Sequence, residues 1–542
     1  MRKEISIKEA KTLFCLFKLR VKYSPDKIAF KYFDKKENKY IEKTWQGAAK
    51  VVAQWQGALK KENLSKGELV GLMISTSYER TIFELAASGL GLVTVPMPIN
   101  AIDSPSYMFS MLEYTQVKLL LIQNELQEGI LLSFKDRLHP FKIIRLDKID
   151  TWLPQEYDIE LSNMTSDPDE LTTIHYTSGT SGKLKGVMLS HRNILSNAEA
   201  ISHHISVYDD DIAVTFTGGS IFPMMMDFAT AFPKTIEDLQ IINPTHIVSA
   251  NRLYEHIYKL IQISFLKNKE GDQFFDQITV TAEDLKKIFG NRLRYGFYAG
   301  GVLPREISKN FIELGIPILN CYGQAEAGAV ISMNTPDDNN PLSVGKPLNG
   351  IDVKIEDGEL LIKSSSVMVG YWKNPSETEA TIKDGWLHTG DIFRIDSKGH
   401  LFFIGRKSDI IVTQNGDKIS PLHIEAAIKA DLLFDQTMVI GKNRPFLTAL
   451  LVLNKELWEK MAESLKLDPH DPLALKDNAL HNIILKRIAK TLIEYPDYLK
   501  IERVTLLTEE WRVGAGLLTT SLKLKREEIY AKYAEEIRQI YL

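Results

Sequence analysis

The feature that most constrains this chain is the run TIHYTSGTSGKLKGVMLS at residues 173–190, where a strand-like segment opens into glycines, hydroxyls and lysines. Glycine lets the backbone approach an anion closely, hydroxyl groups donate hydrogen bonds, and lysines supply positive charge. The run lacks the G-x-x-x-x-G-K-[ST] spacing of a Walker loop, so it does not indicate an ATPase or kinase of that type. We interpret it as a phosphate-binding loop, with an ordinary surface turn as the alternative.

The segments on either side of the run favour the phosphate-binding interpretation. Residues 171–176 predict a strand, and Ser190 is placed to cap a helix that begins at His191 and has helical apolar spacing. A strand, a glycine loop and a helix in succession present backbone N–H groups to phosphate. We therefore expect that order here.

Helical and strand-like segments alternate along most of the chain. Residues 51–61, 81–89, 252–262 and 477–495 predict helices, and residues 68–75, 92–97, 245–251, 293–300 and 317–323 predict buried strands. This rhythm is typical of an α/β fold in which helices cover parallel strands.

The pattern of predicted secondary structure changes twice in the second half of the chain. After Asn334 the residues predict short strands separated by turns, which indicates a β-rich subdomain. Near Gly405 a compact α+β pattern begins. We therefore predict a large N-terminal domain, residues 1–405, made of α/β subdomains and the β-rich subdomain, and a small C-terminal α+β domain, residues 406–542.

Composition excludes several classes of function. With 66 Lys and Arg against 70 Asp and Glu, the formal charge is −4, which does not favour nucleic acid as a partner. The two cysteines, Cys15 and Cys321, cannot form a disulfide framework or a cysteine metal cluster, and they suit a reducing cytoplasm. Because charges interrupt every apolar stretch, we expect no signal peptide and no membrane span.

Two apolar runs have more than one interpretation. Leu13, Phe14, Leu16 and Phe17 lie near one side of a predicted N-terminal helix, which favours a place in the core, with peripheral membrane contact as the alternative. The methionines at 224–226 favour core packing, with the lining of an acyl pocket as the alternative.

Four further motifs follow the loop in order: YAGG at 298–301, CYGQAEAG at 321–328, WLHTGDI at 386–392 and GRKSD at 405–409, with LLTTSLKLKRE near the C-terminus. Together they resemble the adenylate-forming superfamily, most closely its long-chain fatty-acid–CoA ligases. The resemblance covers nearly the whole chain. It implies that a fatty acid attacks the α-phosphorus of ATP, and that coenzyme A then displaces AMP from the acyl-adenylate.

The resemblance also implies roles for individual residues. Thr177 and Glu326 would meet the phosphates and Mg²⁺, and Lys185 would offset negative charge. The remaining phosphate contacts would come from loop residues Ser178, Gly179, Thr180, Ser181 and Gly182. Carboxylate oxygen suits a hard cation such as Mg²⁺.

The nucleoside and the transferred group would be held by the later motifs. Gly301 and Tyr322 would lie on either side of the adenine, because an aromatic ring offers a flat stacking face, and Gly323 would also bind the nucleotide. Asp391 would accept hydrogen bonds from the ribose hydroxyls. Packing in the core is the alternative for Tyr322.

Two basic residues complete the implied site. Arg406 would contact the ribose or phosphate side, with an inter-strand ion pair as the alternative. Lys523 would reach the α-phosphate and carboxylate oxygens, with Lys525 as the competing choice. The resemblance implies that the C-terminal domain rotates after adenylation about a hinge at Ser408, which withdraws the lysine.

The chain departs from the family pattern at several positions. Ala325 replaces a threonine or serine that contacts the α-phosphate, Leu184 replaces a proline, and the region after Val214 lacks the expected Pro-Leu-x-His stretch. Ala325 and the altered segment after Val214 leave a weakened homologue that only binds nucleotide as an alternative. Because no motif is diagnostic of a thiol site, acceptors other than coenzyme A, such as an acyl carrier protein, also stay as alternatives.

Overall fold

The computed structural model describes residues 4–156, 160–162, 164, 167–178, 184–216, 220–266 and 281–542. The strands of the described residues are β1 Ile28–Asp34, β2 Lys39–Thr44, β3 Leu69–Met73, β4 Val93–Pro96, β5 Leu119–Ile122, β6 Lys142–Arg145, β7 Leu171–Ser178, β8 Leu184–Ser190, β9 Ile212–Thr215, β10 Ala229–Phe232, β11 His246–Ala250, β12 Tyr295–Ala299, β13 Ile318–Gln324, β14 Ala329–Met333, β15 Lys346–Pro347, β16 Asp352–Glu356, β17 Glu359–Lys363, β18 Gly370–Tyr371, β19 Ile382–Lys383, β20 Trp386–Ile395, β21 Leu401–Arg406, β22 Ile411–Val412, β23 Lys418–Ile419, β24 Phe434–Ile440, β25 Leu447–Leu453 and β26 Ile501–Leu507.

The α-helices of the same described ranges are α1 Ile7–Ala10, α2 Leu13–Tyr23, α3 Trp45–Lys60, α4 Tyr78–Gly89, α5 Pro105–Thr115, α6 Glu125–Leu132, α7 His191–Ser202, α8 Ile221–Met226, α9 Asp238–Ile242, α10 Asn251–Leu266, α11 Ala282–Phe289, α12 Arg305–Glu313, α13 Pro375–Thr381, α14 Pro421–Lys429, α15 Lys455–Ser464, α16 Asn478–Thr491, α17 Arg526–Lys532 and α18 Ala534–Ile540. None of these helices is long and apolar enough to cross a membrane.

Two mixed sheets form the body of the N-terminal part. In the described residues one sheet has the order β18-β8-β7-β4-β3-β5-β6, and its β3, β4, β5, β6 and β7 pair in parallel. The other has the order β15-β14-β13-β12-β11-β9-β10-β1-β2, with parallel pairing from β13 through to β1. All five residues of β3 are buried, as expected for a parallel strand covered on both faces. The predicted α/β architecture is confirmed.

The β-rich subdomain and the C-terminal part follow the two sheets. An antiparallel sheet forms after Asn334 and confirms the predicted β-rich subdomain; its strands are β16, β17, β19, β20 and β21. Beyond Ile411 the described residues form two hydrophobic clusters of their own, around the sheet β24-β25-β26. The separate α+β C-terminal domain is confirmed, while its boundary at residues 405 and 406 stays a prediction.

The structure corrects one prediction about the glycine loop. Strand β8 comes between the loop and α7, and it pairs antiparallel with β7, so the loop connects a hairpin instead of leading directly into a helix. Ser190 does cap α7 and forms a capping box with Asn193, but that helix begins at the far end of β8. The N–H groups at the start of α7 therefore lie away from the loop. Val187 and Leu189 are both buried because alternate side chains of a strand share one face, and this is the physical reason that the segment forms β8 and not the start of the helix.

The N-terminal segment belongs to the core. Phe14, Leu16 and Phe17 of α2 are buried in the same cluster as Met224–Met226 of α8. Arg20 of α2, fully buried, donates hydrogen bonds of 2.7 Å to the carbonyl oxygens of Met224 and Met225. The core interpretation is therefore confirmed for both apolar runs. Helix α2, whose residues are all described, has no exposed apolar face with which to contact a membrane.

Candidate active site

The hairpin β7–β8 carries the first part of the site. Thr177 at the end of β7 lies opposite Lys185 in β8, and Ser178 is the last residue of β7. The predicted loop residues Gly179, Thr180, Ser181 and Gly182 lie outside the described residues.

Lys185 is held by two side chains from the segment between β17 and β19. Its ammonium group forms an ion pair with the Glu377 carboxylate of α13 and lies 5.3 Å from the ring centroid of Tyr371 in β18. Strand β18 pairs with β8, so the sheet itself brings Tyr371 to the lysine. The ion pair holds the ammonium group in a fixed direction next to the loop.

Glu326 lies in a 3₁₀ turn at Ala325–Ala327, directly after β13. Its Oε1 accepts a hydrogen bond of 2.9 Å from the Tyr371 hydroxyl, and burial together with the Glu326 charge raises the pKa of that tyrosine. Within the described ranges no group of three or more His, Cys, Asp or Glu side chains could hold a metal ion. A single orientated carboxylate fits a Mg²⁺ ion that takes most of its ligands from phosphates and water.

Asp391 of β20 is a buried carboxylate with two partners. Its Oδ2 accepts a hydrogen bond of 2.6 Å from the Tyr322 hydroxyl, and its Oδ1 lies 3.3 Å from Nε of Arg406, its neighbour across the β20–β21 pair. Burial raises the pKa of Asp391, and the Arg406 charge and the Tyr322 hydrogen bond oppose that shift. No described residue donates a hydrogen bond to Oδ1 in good geometry. A buried carboxylate oxygen that lacks a donor can accept a hydrogen bond from a hydroxyl group of a ligand.

Tyr322 and Arg406 therefore show the contacts of both interpretations given above. The Tyr322 ring packs 4.7 Å from Phe393, as in a core, and its hydroxyl is bound to Asp391. Arg406 forms the inter-strand ion pair, but its partner is the predicted ribose acceptor. Their roles toward a ligand stay predictions.

Two glycines of the predicted adenine site have no room for a side chain. A Cβ atom at Gly323 would lie 1.6 Å from the carbonyl oxygen of Ala329, and one at Gly301 would lie 2.8 Å from the Asn251 side chain. The backbone at Gly323 is therefore packed tightly against β14. At Gly301, where the loop follows β12, even a methyl group would displace a neighbour.

Lys523 joins this site from the C-terminal domain. It lies in the hairpin turn between Leu518 and Leu524, where Leu522 adopts a φ of 60°. Burial and the nearby Arg406 charge lower the pKa of Lys523, and the charges of Asp391, Asp409 and Glu326 oppose the shift. The side chain keeps access to solvent although protein atoms surround it, as expected in a cleft between two domains.

The turn that carries Lys523 is docked on the N-terminal domain. Asn100 donates a hydrogen bond of 2.7 Å to the carbonyl oxygen of Thr520, and Arg252 donates one to the carbonyl oxygen of Leu522. A Cβ atom at Gly514 would lie 3.0 Å from the carbonyl oxygen of Asp103. The structure therefore has the two domains closed with the lysine turned toward the site.

The structure thus brings together most of the predicted residues that it describes. Five of them interact through their charges or hydrogen bonds: Asp391, Arg406, Tyr322, Glu326 and Lys523. Lys185 is connected to Glu326 through Tyr371, and Thr177 lies opposite Lys185 in the hairpin. Ser408, the predicted hinge residue, is exposed and bonds to its neighbour Asp409.

Sequence reasoning missed two residues of the site, Tyr371 and Glu377. Tyr371 links Lys185 to Glu326, and Glu377 pairs with Lys185. Their segment, GYWKNPSE, resembles an ordinary strand and turn, and 192 residues separate Glu377 from Lys185. No local spacing could have indicated the pairing.

Comparison with known proteins finds relatives along most of the chain. Fatty-acid–CoA ligase fadD11 of Mycobacterium tuberculosis is 31% identical over 437 residues, covering 71% of this chain and 76% of that protein. A long-chain-fatty-acid–[acyl-carrier-protein] ligase of Arabidopsis thaliana, AEE15, is 26% identical over 466 residues, covering 70% and 62%. The crystal structure of the anthranilate CoA ligase AuaEII in complex with anthranoyl-AMP shares the fold, with a TM-score of 0.78, 19% identity and 97% of both chains covered.

Family comparison covers both domains. Residues 17–372 match the family described as AMP-binding enzyme, and residues 408–542 match the AMP-binding enzyme C-terminal domain. This chain therefore belongs to the AMP-binding enzyme family.

Proposed function

We propose that this protein is an AMP-forming fatty-acid–CoA ligase that makes an acyl-adenylate from a fatty acid and ATP and then transfers the acyl group to coenzyme A. The observation that carries the proposal is the docking of the Lys523 turn on the N-terminal domain through Asn100 and Arg252, which brings the lysine close enough for the charges of Asp391 and Glu326 to affect its pKa. The names of the fatty-acid ligases among the relatives support the choice of a fatty acid as substrate.

Each residue has a part in the first half-reaction. The Oδ1 atom of Asp391 accepts a hydrogen bond from a ribose hydroxyl group, and this bond fixes the nucleotide relative to Lys523. Lys185 and Lys523 provide positive charge around the phosphates while the negative fatty-acid carboxylate approaches. In this proposal the Lys523 ammonium group stabilises the oxygens on which charge develops.

Glu326 would hold Mg²⁺ together with Thr177. When bound, the ion neutralises phosphate charge, which lowers the repulsion between the two anionic substrates. Tyr371 holds the Glu326 carboxylate in one direction through the hydrogen bond of 2.9 Å. This fixes the position of the ligand atom before any substrate enters.

The second half-reaction needs Lys523 to leave. Its turn is bound to the N-terminal domain by hydrogen bonds from Asn100 and Arg252, which a rotation about Ser408 would break. Coenzyme A then has access to the acyl-adenylate. An acyl carrier protein in place of coenzyme A would use the same first half-reaction.

The test supplies purified full-length protein with Mg²⁺, ATP and fatty acids of graded length. Exchange of labelled pyrophosphate into ATP reports adenylation, and thioester formation with coenzyme A reports transfer. We expect both activities. No exchange with any acid would contradict adenylation, and exchange without a coenzyme A thioester would assign another acceptor.

A further inference from the structure

One face of helix α10 contacts the C-terminal domain. Another face of the helix is apolar and is buried in a cluster with strands of the larger sheet; its members are Tyr254, Ile257, Tyr258 and Ile261. Arg252, Glu255 and Lys259 are three and four residues apart, so they lie in one row along the helix. Each of these three side chains contacts the C-terminal domain. The row is therefore a docking surface made of charged side chains.

Two of these contacts are with the segment that joins α14 to β24. Nζ of Lys429, the last residue of α14, lies 3.9 Å from Oε2 of Glu255, whose side chain is 13% exposed. Nζ of Lys259 donates a hydrogen bond of 3.3 Å to the carbonyl oxygen of Phe434, the first residue of β24. Burial lowers the pKa of Lys259, and the charge of Asp435 opposes that shift. We call the Glu255–Lys429 and Lys259–Phe434 contacts the interdomain latch. Because both contacts are partly removed from water, solvent screens them less than it screens exposed ion pairs.

Helix α14 connects the interdomain latch to the turn that carries Lys523. Glu425, one helical turn before Lys429, is buried and accepts hydrogen bonds of 2.8 Å and 2.6 Å from the two terminal nitrogens of Arg526. Arg526 begins α17 and follows Lys523 by three residues. A bidentate pair of this kind fixes the direction of both side chains. The direction of α14 therefore determines where Lys523 lies relative to the N-terminal domain.

Glu255 is also held from the side of the YAGG motif. Its Oε1 accepts a hydrogen bond of 2.8 Å from the Asn251 amide, which donates another of 3.2 Å to the carbonyl oxygen of Val302. Val302 directly follows the YAGG motif. The Glu255 carboxylate therefore connects the segment after this motif, through Oε1, with the C-terminal domain, through Oε2. This chain of contacts fixes the Lys523 turn relative to the YAGG segment.

We propose that Glu255 and Lys259 are positioning residues: the interdomain latch holds the C-terminal domain in the orientation in which Lys523 serves adenylation, and its release favours the orientation for thioester formation. The two residues act through α14 and the Lys523 turn and not on the substrates. Loss of the latch therefore shifts the populations of the two orientations while each domain stays folded. This inference rests on the proposed function, whose domain rotation it assigns to particular contacts.

The first test replaces Lys259 by methionine, which keeps a long apolar side chain and removes the charged donor. With full-length Lys259→Met we expect pyrophosphate exchange to be about tenfold slower than in the wild type, which is the effect of losing one hydrogen bond from a charged group. Thioester formation from supplied acyl-AMP should be as fast as in the wild type or faster. Damage to the fold would slow both half-reactions, so equal losses in the two, or unchanged pyrophosphate exchange, would overturn the proposal.

A double-mutant cycle tests the other contact of the latch. Glu255→Gln keeps an oxygen acceptor for Asn251 and removes the charge, and Lys429→Met removes the partner. Each variant should slow pyrophosphate exchange about threefold, and the double variant should be no slower than either one, because each single change already breaks the pair. Additive losses would contradict the proposal.

The matched control is a second ion pair between the domains. Arg305 and Glu494 lie 2.6 Å apart, but each side chain is more than half exposed. Arg305→Met should therefore keep pyrophosphate exchange within about twofold of the wild type. A loss as large as in Lys259→Met would show that charge across the whole interface, and not α10, holds the domains together.

Amide hydrogen exchange tests the latch without any turnover. In Lys259→Met, hydrogen exchange across residues 518–524 should become at least about threefold faster, because the turn is released from Asn100 and Arg252. Hydrogen exchange in β24 and β25 should stay unchanged, because the C-terminal domain remains folded. If no acid supports turnover, the proposed function fails, while this measurement still decides the latch. Unchanged hydrogen exchange across 518–524, or faster exchange in the turn and the strands alike, would refute it.

Discussion

Replacement of Lys523 by alanine should separate the two half-reactions. The charge of the lysine interacts with those of Asp391, Glu326 and Arg406, and two hydrogen bonds hold its turn on the N-terminal domain. In the variant, those backbone contacts remain while one preorganised charged donor is lost. Loss of a single such donor costs about 10²–10³ in rate, or roughly 3 to 4 kcal/mol of transition-state stabilisation. We expect a loss of that size in adenylation.

Thioester formation from supplied acyl-AMP should remain within about threefold of wild type, because the proposed domain rotation withdraws Lys523 from the site in that step. Pyrophosphate exchange and thioester release measured on the same preparation give the comparison. Lys525→Ala is the matched control, since Lys525 is two residues away in the same segment and its backbone N–H bonds to Leu517. Equal losses in both half-reactions, or a larger loss in Lys525→Ala, would refute the assignment.

Three further outcomes follow from contacts in the structure. Tyr371→Phe removes the hydrogen bond to Glu326, so the concentration of Mg²⁺ needed for half-maximal exchange should rise about tenfold with little change in melting temperature; an unchanged requirement would contradict the orientating role. The exchange rate should fall as pH rises through the lowered pKa of Lys523, since the ammonium form is needed, and this fall should occur at lower pH than for an ordinary lysine and be absent in Lys523→Arg. Arg20→Met leaves Asp227 buried with one charged partner fewer, so thermal unfolding should show a loss of about 3 kcal/mol; an unchanged melting temperature would show that the pair adds nothing.

Much of the fold could be predicted because hydrophobic periodicity reflects burial directly. The run ELVGLMIS predicts a strand, and β3 has all five residues buried. The run TIFELAASG predicts a helix, and α4 buries one apolar face against α2 and α3. These patterns are local, so tertiary packing reinforced them instead of overriding them.

The errors and omissions come from contacts between residues far apart in the chain. Leu184–Ser190 was not predicted as a strand, because the lysine and glycine at its start resemble the preceding loop, and its pairing with both β7 and β18 decides its conformation. The Tyr371 hydroxyl reaches Glu326 across 45 residues, and Arg20 reaches Asp227 across more than 200. Such pairs depend on the sheet order, which no single segment encodes.

The alanine at position 325 affects the reaction rate that we expect at this site. Its methyl group cannot donate the hydrogen bond expected from a threonine or serine, and one such bond contributes about 1 to 3 kcal/mol. Enzymes lower barriers by about 8 kcal/mol or more, so the loss of one donor slows a reaction without abolishing it. Lys523, Lys185 and the Asp391 acceptor are still present in the site. The substitution therefore fits a slower ligase better than a protein that has lost catalysis.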